Sequence, residues 1–498
     1  MATKAEPDPR APQSLDKPDE SVSLLEEIVQ EGRLGQTKEE KANSRDWVRS
    51  LIEQVTQGQM AVSQDMEKAL NERIRQLDEM ISLQVNEIIH QPEFQRLEAS
   101  WRGLHYFVQE TETSASLKIR FMNISKNDLL KDLTRATEFD QSELFKKIYE
   151  EEYGTLGGKP YGALIGDYEF GRTPQDVTLL EKISNVAAAS HAPFVAAASP
   201  SLFNFDSFTN LSGPRDLEKI FQSDAFLDWN EFRKQEDAKY VGLCLPHVLM
   251  RLPYGPDTVP VDEFDFDEKV DGKDHSKYLW GNAAYAFATR LTASFAKHEW
   301  CAAIRGMQGG GKVEGLPTHV FATDEGDSAT KCPTEIAITD RRENELSKLG
   351  FIPLCYYKGT KDAVFFAAQS ANKAKQYLEP DANANARLSA QLQYIFAVSR
   401  FAHFLKIMMR DYVGSFMSKD ECQSFLNRWI SQYVLLDDTA SQDAKSKFPL
   451  RDARIVVSEV AGKPGVYSAV AFLRPHFQLE ELTVSMRLVT RLPVPQRT

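Results

Sequence analysis

The chain has 498 residues, of which 42% are hydrophobic and 26% charged, an ordinary balance for a globular protein with material for about three domains. Its formal net charge of −13 argues against a nucleic-acid surface, which needs a concentrated basic face. Cys244, Cys301, Cys332, Cys355 and Cys422 are odd in number and widely spaced, which fits neither a disulfide framework nor a paired metal site, so they read as cytosolic thiols. No apolar leader core and no apolar run of about 18 residues is present, so a cytoplasmic protein without membrane insertion is expected.

Residues 1–21 carry four prolines and almost nothing to bury, and read as a disordered leader. Over 22–34 a short amphipathic helix is predicted. Ser23 and Glu26 form a capping box, Leu24, Leu25, Ile28 and Val29 share one stripe, and Gly32 marks the stop. So short a helix is marginal alone, so its stripe either packs on its own domain or serves as a tethered peptide for a groove on another protein.

A helical hairpin is predicted over 60–115. Met66, Leu70, Ile74, Leu77, Ile81, Val85 and Ile88 hold helical spacing up to Pro92, and Phe94, Leu97, Trp101, Leu104 and Val108 share a face of the next helix. An α/β body is expected over 116–380. It opens with strand-like residues 117–124, followed by helical pieces near 127–136 and 142–152. Then come a strand at Tyr161–Asp167, a crossover helix at Pro174–Ala189 and a parallel strand at Pro193–Ala198. The intervening turn, GDYEFGRT, lacks dinucleotide-binding glycines. The acid-rich run Val261–His275 lacks calcium-loop spacing and reads as a solvated loop.

From Ala284 to Ile304 the apolar spacing is helical. It leads into Gly306, Met307, Gln308, Gly309, Gly310, Gly311 and Lys312, which imitate a phosphate-binding loop. Val313 stands where the Mg²⁺-binding hydroxyl belongs, and the order of elements is inverted: a helix precedes the glycines and extended sequence follows. A flexible glycine turn leaving a helix is the simpler reading. Over 381–498 we expect helices followed by a β-rich region. Asn385–Val413 is apolar nearly all round, as in a fully buried helix, with His403 as a core histidine. Ser418 and Glu421 cap the next helix, whose face carries Cys422, Phe425, Leu426, Trp429, Ile430 and Tyr433. Arg454–Val460 and Val466–Leu473 flank a turn, and Leu482, Val484, Met486 and Leu488 alternate with polar residues. A sheet at a protein's edge offers unpaired backbone groups to strands of other chains.

Several blocks occur in an order that resembles one family. Pro193-Phe194-Val195 and Ser199-Pro200 come first, followed by Tyr240-Val241-Gly242-Leu243 and Leu252-Pro253-Tyr254-Gly255. Trp280-Gly281-Asn282-Ala283-Ala284, Trp300, Ile304-Arg305-Gly306 and the stretch from Gly309 to Pro317 complete the set. Together they look like the large sheath subunit of the bacterial type VI secretion system, the TssC (ImpC/EvpB) family. The resemblance implies a multi-layer α/β (α+β) protomer with no cofactor or catalytic site. It implies heterodimerisation with a small TssB-like sheath subunit, helical polymerisation around an Hcp-like inner tube, contact with a baseplate, and recycling by a ClpV-like AAA+ ATPase that grips the Leu24–Val29 stripe. It further implies that Leu482, Val484, Met486 and Leu488 pair with strands of neighbouring subunits, and that Gly306, Gly309, Gly310 and Gly311 are structural. The scattered histidines and the absence of a nucleophile elbow are consistent with a non-enzyme. The alternatives are a nucleotide-binding enzyme using the Gly306–Lys312 loop and a non-polymerising adaptor.

Overall fold

The computed structural model describes residues 37–56, 66–323, 326–415, 417–460 and 466–478. The chain divides into two compact units. One comprises residues up to Gln84 with Asp262–Phe266, the other Val85–Val261 with Asp267 onward.

In the first unit helix α1, Lys38–Thr56, opens with reciprocal bonds in which the N–H of Thr37 reaches the Glu40 carboxylate and the N–H of Glu40 the Thr37 hydroxyl. Helix α2, Met66–Ile89, follows the predicted periodicity and runs on into the second unit.

Helix α3, Pro92–Gln109, is present as predicted but buries another stripe. Ala99, Gly103 and Phe107 turn inward, while Phe94, Leu97, Trp101 and Val108 stay exposed. The cause is Gly103: a Cβ there would stand 2.4 Å from the Tyr285 ring, so only glycine admits that ring. Residues 117–124 join no ladder among the described residues, contrary to the predicted strand. Side chains hold the segment instead, Arg120 reaching Glu152 and Tyr161. Helix α4, Lys126–Arg135, follows, N-capped by Ser125.

The second unit is organised on a six-stranded sheet ordered β1-β2-β3-β5-β6-β4. Strands β1 (Leu164–Phe170), β2 (Phe194–Ala198), β3 (Val241–Leu245) and β5 (Ile352–Tyr356) run parallel. Strands β6 (Ala363–Phe365) and β4 (Lys312–Val313) close the sheet antiparallel. The crossover helix α5, Pro174–Ser190, lies within two residues of its predicted bounds, with Thr173 as N-cap and Pro174 at the first turn. Alternation divides the sheet into two cores. Phe194, Ala196, Ala198, Val241, Leu243 and Leu245 face α5 and its neighbours, whereas Val195 and Cys244 face helix α6, Ala283–His298. This three-layer arrangement is the expected α/β body.

Three expectations need correction. Helix α6 stops at His298, not Ile304, because Glu299 turns left-handed at φ 63° and its N–H returns to the Phe295 carbonyl. The predicted long buried helix divides into α7, Pro380–Leu388, and α8, Leu392–Asp411. Between them the backbone pairs sideways: the N–H of Ser370 bonds the Ala390 carbonyl and that of Leu392 the Ala368 carbonyl. Only the first half of α8 is buried, and beyond it Val413 is 82% exposed. His403 is the expected core histidine, its Nε2 2.8 Å from the Ser190 carbonyl and its pKa pushed down to about 4 by burial.

The acid-rich run is likewise not wholly solvated. Glu268 is 2% exposed. Its carboxylate takes Arg251 Nη1 at 2.7 Å, the Tyr254 N–H at 2.8 Å and His90 Nε2 at 3.1 Å, while Arg251 Nε also meets Glu98 at 2.7 Å. A buried carboxylate is tolerable only with such partners, and all of them are distant in the chain or on other elements.

Candidate assembly surface

Helix α9, Lys419–Ser431, begins with the predicted capping box: the Ser418 N–H donates to Glu421 at 2.8 Å and Ser418 Oγ accepts from the Glu421 N–H. Its inward face, Cys422, Leu426 and Ile430, packs in one cluster with Leu450, Ile455 and Val457 of strand β7, Leu450–Glu459. Trp300, from the block Trp300-Ile304-Arg305-Gly306, belongs to the same cluster and stacks on Phe401 at 4.4 Å.

Strand β8, Tyr467–Pro475, pairs antiparallel with β7 in the predicted hairpin, Val456 opposite Val470 and Ile455 opposite Ala471. The two strands form a sheet of their own. One face meets α9. The other carries Val456, Val470 and Phe472, the last two 50% and 52% exposed, with the Arg454 guanidinium 5.1 Å from the Phe472 ring centroid.

The edges of this hairpin differ. On β7, Asn427 Oδ1 accepts the Ile455 N–H at 2.9 Å, Asn427 Nδ2 donates to the Ile455 carbonyl at 2.7 Å, and Gln423 Oε1 accepts the Val457 N–H at 2.9 Å. These groups therefore point away from β8, so Ile455–Ala471 and Val457–Ala469 are the non-hydrogen-bonded pairs of the ladder. It follows that Ala469, Ala471 and Leu473 direct their N–H and C=O groups outward from β8, where no other strand lies among the described residues.

Past Pro475 the β7–β8 ladder continues by one more rung before the chain is held by side chains. The His476 N–H donates to the Pro449 carbonyl, the Gln478 N–H to the Tyr394 hydroxyl, Gln478 Nε2 to the Ala302 carbonyl at 3.0 Å, and Arg305 Nε to Gln478 Oε1 at 2.9 Å. Leu482, Val484, Met486 and Leu488 lie outside the described residues, as do Leu24, Leu25, Ile28 and Val29. Gln423 and Asn427 were missed in the sequence. The available signal was their position, each directly following a residue of the buried stripe, Cys422 and Leu426.

The glycine loop is a packed structural element rather than a flexible turn. Gly306 N–H bonds the Phe365 carbonyl, Gly311 N–H bonds the Gly306 carbonyl, and Phe365 N–H bonds the Gly311 carbonyl. Gly306 and Gly310 have φ of +77° and +90°, while a Cβ on Gly309 would stand 2.3 Å from the Arg305 carbonyl. Strand β4 follows the loop, and Lys312 is held by Glu314 at 2.7 Å and Asp362 at 2.9 Å. Both the order of elements and the engaged lysine oppose a phosphate-binding reading.

Beside the carboxyl ends of the parallel strands, His247 lies between two carboxylates, Nδ1 2.5 Å from Glu335 and Nε2 3.0 Å from Glu169. Burial opposes its charge, but the two carboxylates prevail and raise its pKa from 6.5 to about 10. Burial would raise Glu169 and Glu335, yet their bonds to His247 hold both below the usual carboxylate value. The imidazolium thus contributes stability in full below about pH 6.5, and this is lost as pH rises toward 10. The two carboxylates contribute above their ordinary pKa and lose that contribution in acid. Thermal melts should therefore decline from pH 6.5 to 10, and His247→Gln should flatten the decline. An unchanged slope in the variant would refute the ion-pair assignment.

Among the described residues no helix is long and apolar enough to cross a membrane. The family profile described as EvpB/VC_A0108, tail sheath N-terminal domain, matches residues 71–372, and the EvpB/VC_A0108 tail sheath gpW/gp25-like domain matches residues 381–492. The type VI secretion system sheath protein TssC1 of Pseudomonas aeruginosa is 51% identical over 449 residues, 90% of each chain. A chain of the cryo-EM structure of the anti-feeding prophage baseplate aligns at a TM-score of 0.37 with 8% identity, over 76% of this chain and 84% of its own. A chain of the same prophage's contracted helical sheath aligns at 0.26 with 12% identity, over 62% and 66%.

Proposed function

This chain belongs to the EvpB/VC_A0108 tail sheath family and is a structural sheath protein of type VI secretion, and from that premise we propose that it is the large subunit of a cytoplasmic contractile sheath. It heterodimerises with a small TssB-like subunit and polymerises helically around an Hcp-like tube that starts at a baseplate. The work is mechanical rather than enzymatic. Contraction is a change between two packings of the same interfaces, with no nucleotide consumed in the chain itself.

The observation that carries the reading is the β7–β8 hairpin: among the described residues its sheet has two strands, with Val456, Val470 and Phe472 on the outer face and an edge of backbone groups on β8 that no described strand pairs. A two-stranded sheet is marginal in isolation and is completed by strands from elsewhere. The alternating segment Leu482–Leu488 supplies such a strand to a neighbouring copy.

The stripe Leu24, Leu25, Ile28 and Val29 is the peptide by which a ClpV-like AAA+ ATPase takes hold of contracted sheath. Buried aliphatic anchors are worth roughly 1.5–3 kcal/mol each, so Leu24→Ala, Leu25→Ala and Ile28→Ala together should abolish pull-down of that ATPase while tubules still form. Undiminished pull-down would place this helix elsewhere.

A further inference from the structure

We propose that Arg400 anchors an interface between copies of this chain, where its guanidinium takes a carboxylate of a neighbouring copy. The inference rests on the reading above that the chain polymerises, and names a side chain through which one contact of the lattice is made.

Arg400 extends from α8 into a setting of rings. Its guanidinium carbon lies 4.6 Å from the ring centroid of Phe295, 4.9 Å from that of Phe404 and 5.6 Å from that of Trp300. Trp300 is held in turn by Phe401 at 4.4 Å and Tyr433 at 5.3 Å, and Phe404 by Trp429 at 6.0 Å. An arginine fixed in this way has given up its rotamer freedom before any partner arrives. What the rings do not provide is a hydrogen-bond acceptor. A guanidinium carries five N–H donors. Here Nε is enclosed without a partner, and no described residue accepts from the other donors. Glu299 favours the charge through space but forms no ion pair with it, and burial works against it.

Other buried arginines of the chain are treated differently. Arg251 meets the carboxylates of Glu98 and Glu268, and Arg233 donates to the carbonyls of Ala371 and Lys348. A desolvated charge without a counter-charge weakens the subunit that carries it, and the weakness is removed when assembly supplies a carboxylate. The place suits an interface. Phe295 and Phe404 are only partly buried, and an arginine set among aromatic rings is the composition that dominates interface energetics. The planar fork of a guanidinium matches a carboxylate in two parallel bonds. Two observations favour a second copy as the source. Trp300, Phe401, Trp429 and Tyr433, which brace the patch, lie in one cluster with α9 and the β7–β8 hairpin, the region by which copies are joined in the reading above. Each copy also carries 72 acidic residues against 59 Lys and Arg, so carboxylates are in excess on the chain.

Removing the charge while keeping the packing tests this. Arg400→Met leaves a long apolar side chain among the rings, and the full chain is co-expressed with the proposed TssB-like subunit. We expect the heterodimer to form with a melting midpoint no lower than that of the wild type, because an uncompensated charge is gone, while tubules counted by electron microscopy fall at least tenfold. A lowered midpoint would overturn the proposal by placing the guanidinium in the subunit's own stability. Tubules at wild-type abundance would overturn it by showing that no contact depends on the charge. Glu299→Gln should assemble as the wild type does; a loss of tubules matching that of Arg400→Met would assign the counter-charge to the same chain instead. Photo-crosslinking identifies the source. With p-benzoylphenylalanine in place of Phe295, irradiated tubules should yield a species with the mass of two copies of this chain, joined at a peptide that contains Asp or Glu. A link to the TssB-like subunit alone, or no link, would overturn the second copy as the partner. Absence of tubules from the wild-type chain would instead remove the polymerisation reading, and this proposal with it.

Discussion

Truncation after Gln478 should yield a soluble heterodimer with the small sheath subunit and no tubules at all. The cut keeps the clamp on Gln478 and every described contact of the β7–β8 hairpin, and removes only the alternating segment that includes Leu482, Val484, Met486 and Leu488. Because pairing in a sheet is cooperative along the strand and register depends on both the backbone row and the apolar face, its loss should leave nothing to propagate a lattice. Val484→Pro is the milder form of the same test, removing one ladder N–H from within the strand. Size-exclusion chromatography of the complex together with electron microscopy reads both outcomes. Tubules from the truncated chain would place the linkage elsewhere.

The second large effect lies in the glycine loop. Gly310 has φ of +90°, and a Cβ there would stand 2.1 Å from the Ala303 carbonyl oxygen, which is backbone and cannot swing aside. Gly310→Ala therefore combines left-handed strain with a backbone clash and should cost about 3 kcal/mol or more. Two residues away, Lys312→Ala should leave thermal stability nearly unchanged, because its two ion pairs are exposed to solvent and screened. Thermal unfolding of the two variants side by side separates the readings. A phosphate-binding loop would lose saturable nucleotide binding in Lys312→Ala; a packing loop loses stability in Gly310→Ala.

What was legible in the sequence depended on local periodicity and caps. The α5 crossover, the α9 capping box and the β7–β8 hairpin each declare themselves within a window of about twenty residues, where spacing of 3.6 or 2 and a Ser or Thr cap suffice. The two corrected helices failed for a reason that the same windows conceal. Glu299 is a non-glycine residue in a left-handed cap, and the α7–α8 break is set by backbone bonds to Ala368 and Ser370 on another segment. The unpredicted parts of the assembly surface are long-range as well. Asn427 bonds Ile455 across 28 residues and Arg305 bonds Gln478 across 173. Position beside the buried stripe marks Asn427 as a candidate, but its partner, like that of Arg305, is set only when the fold brings the two within 3 Å. The glycine loop reads from the sequence as a turn rather than a phosphate cradle, from Val313 and the inverted element order; that it is packed rather than flexible depends on the bonds of Gly306 and Gly311 to Phe365, which lies more than fifty residues on.

The central claim is that this chain polymerises. Negative-stain microscopy of the full-length chain co-expressed with the proposed TssB-like subunit tests it most directly. The account requires long hollow tubules of uniform diameter, formed without added nucleotide. A complex that stays as discrete heterodimers at every concentration tested would contradict it.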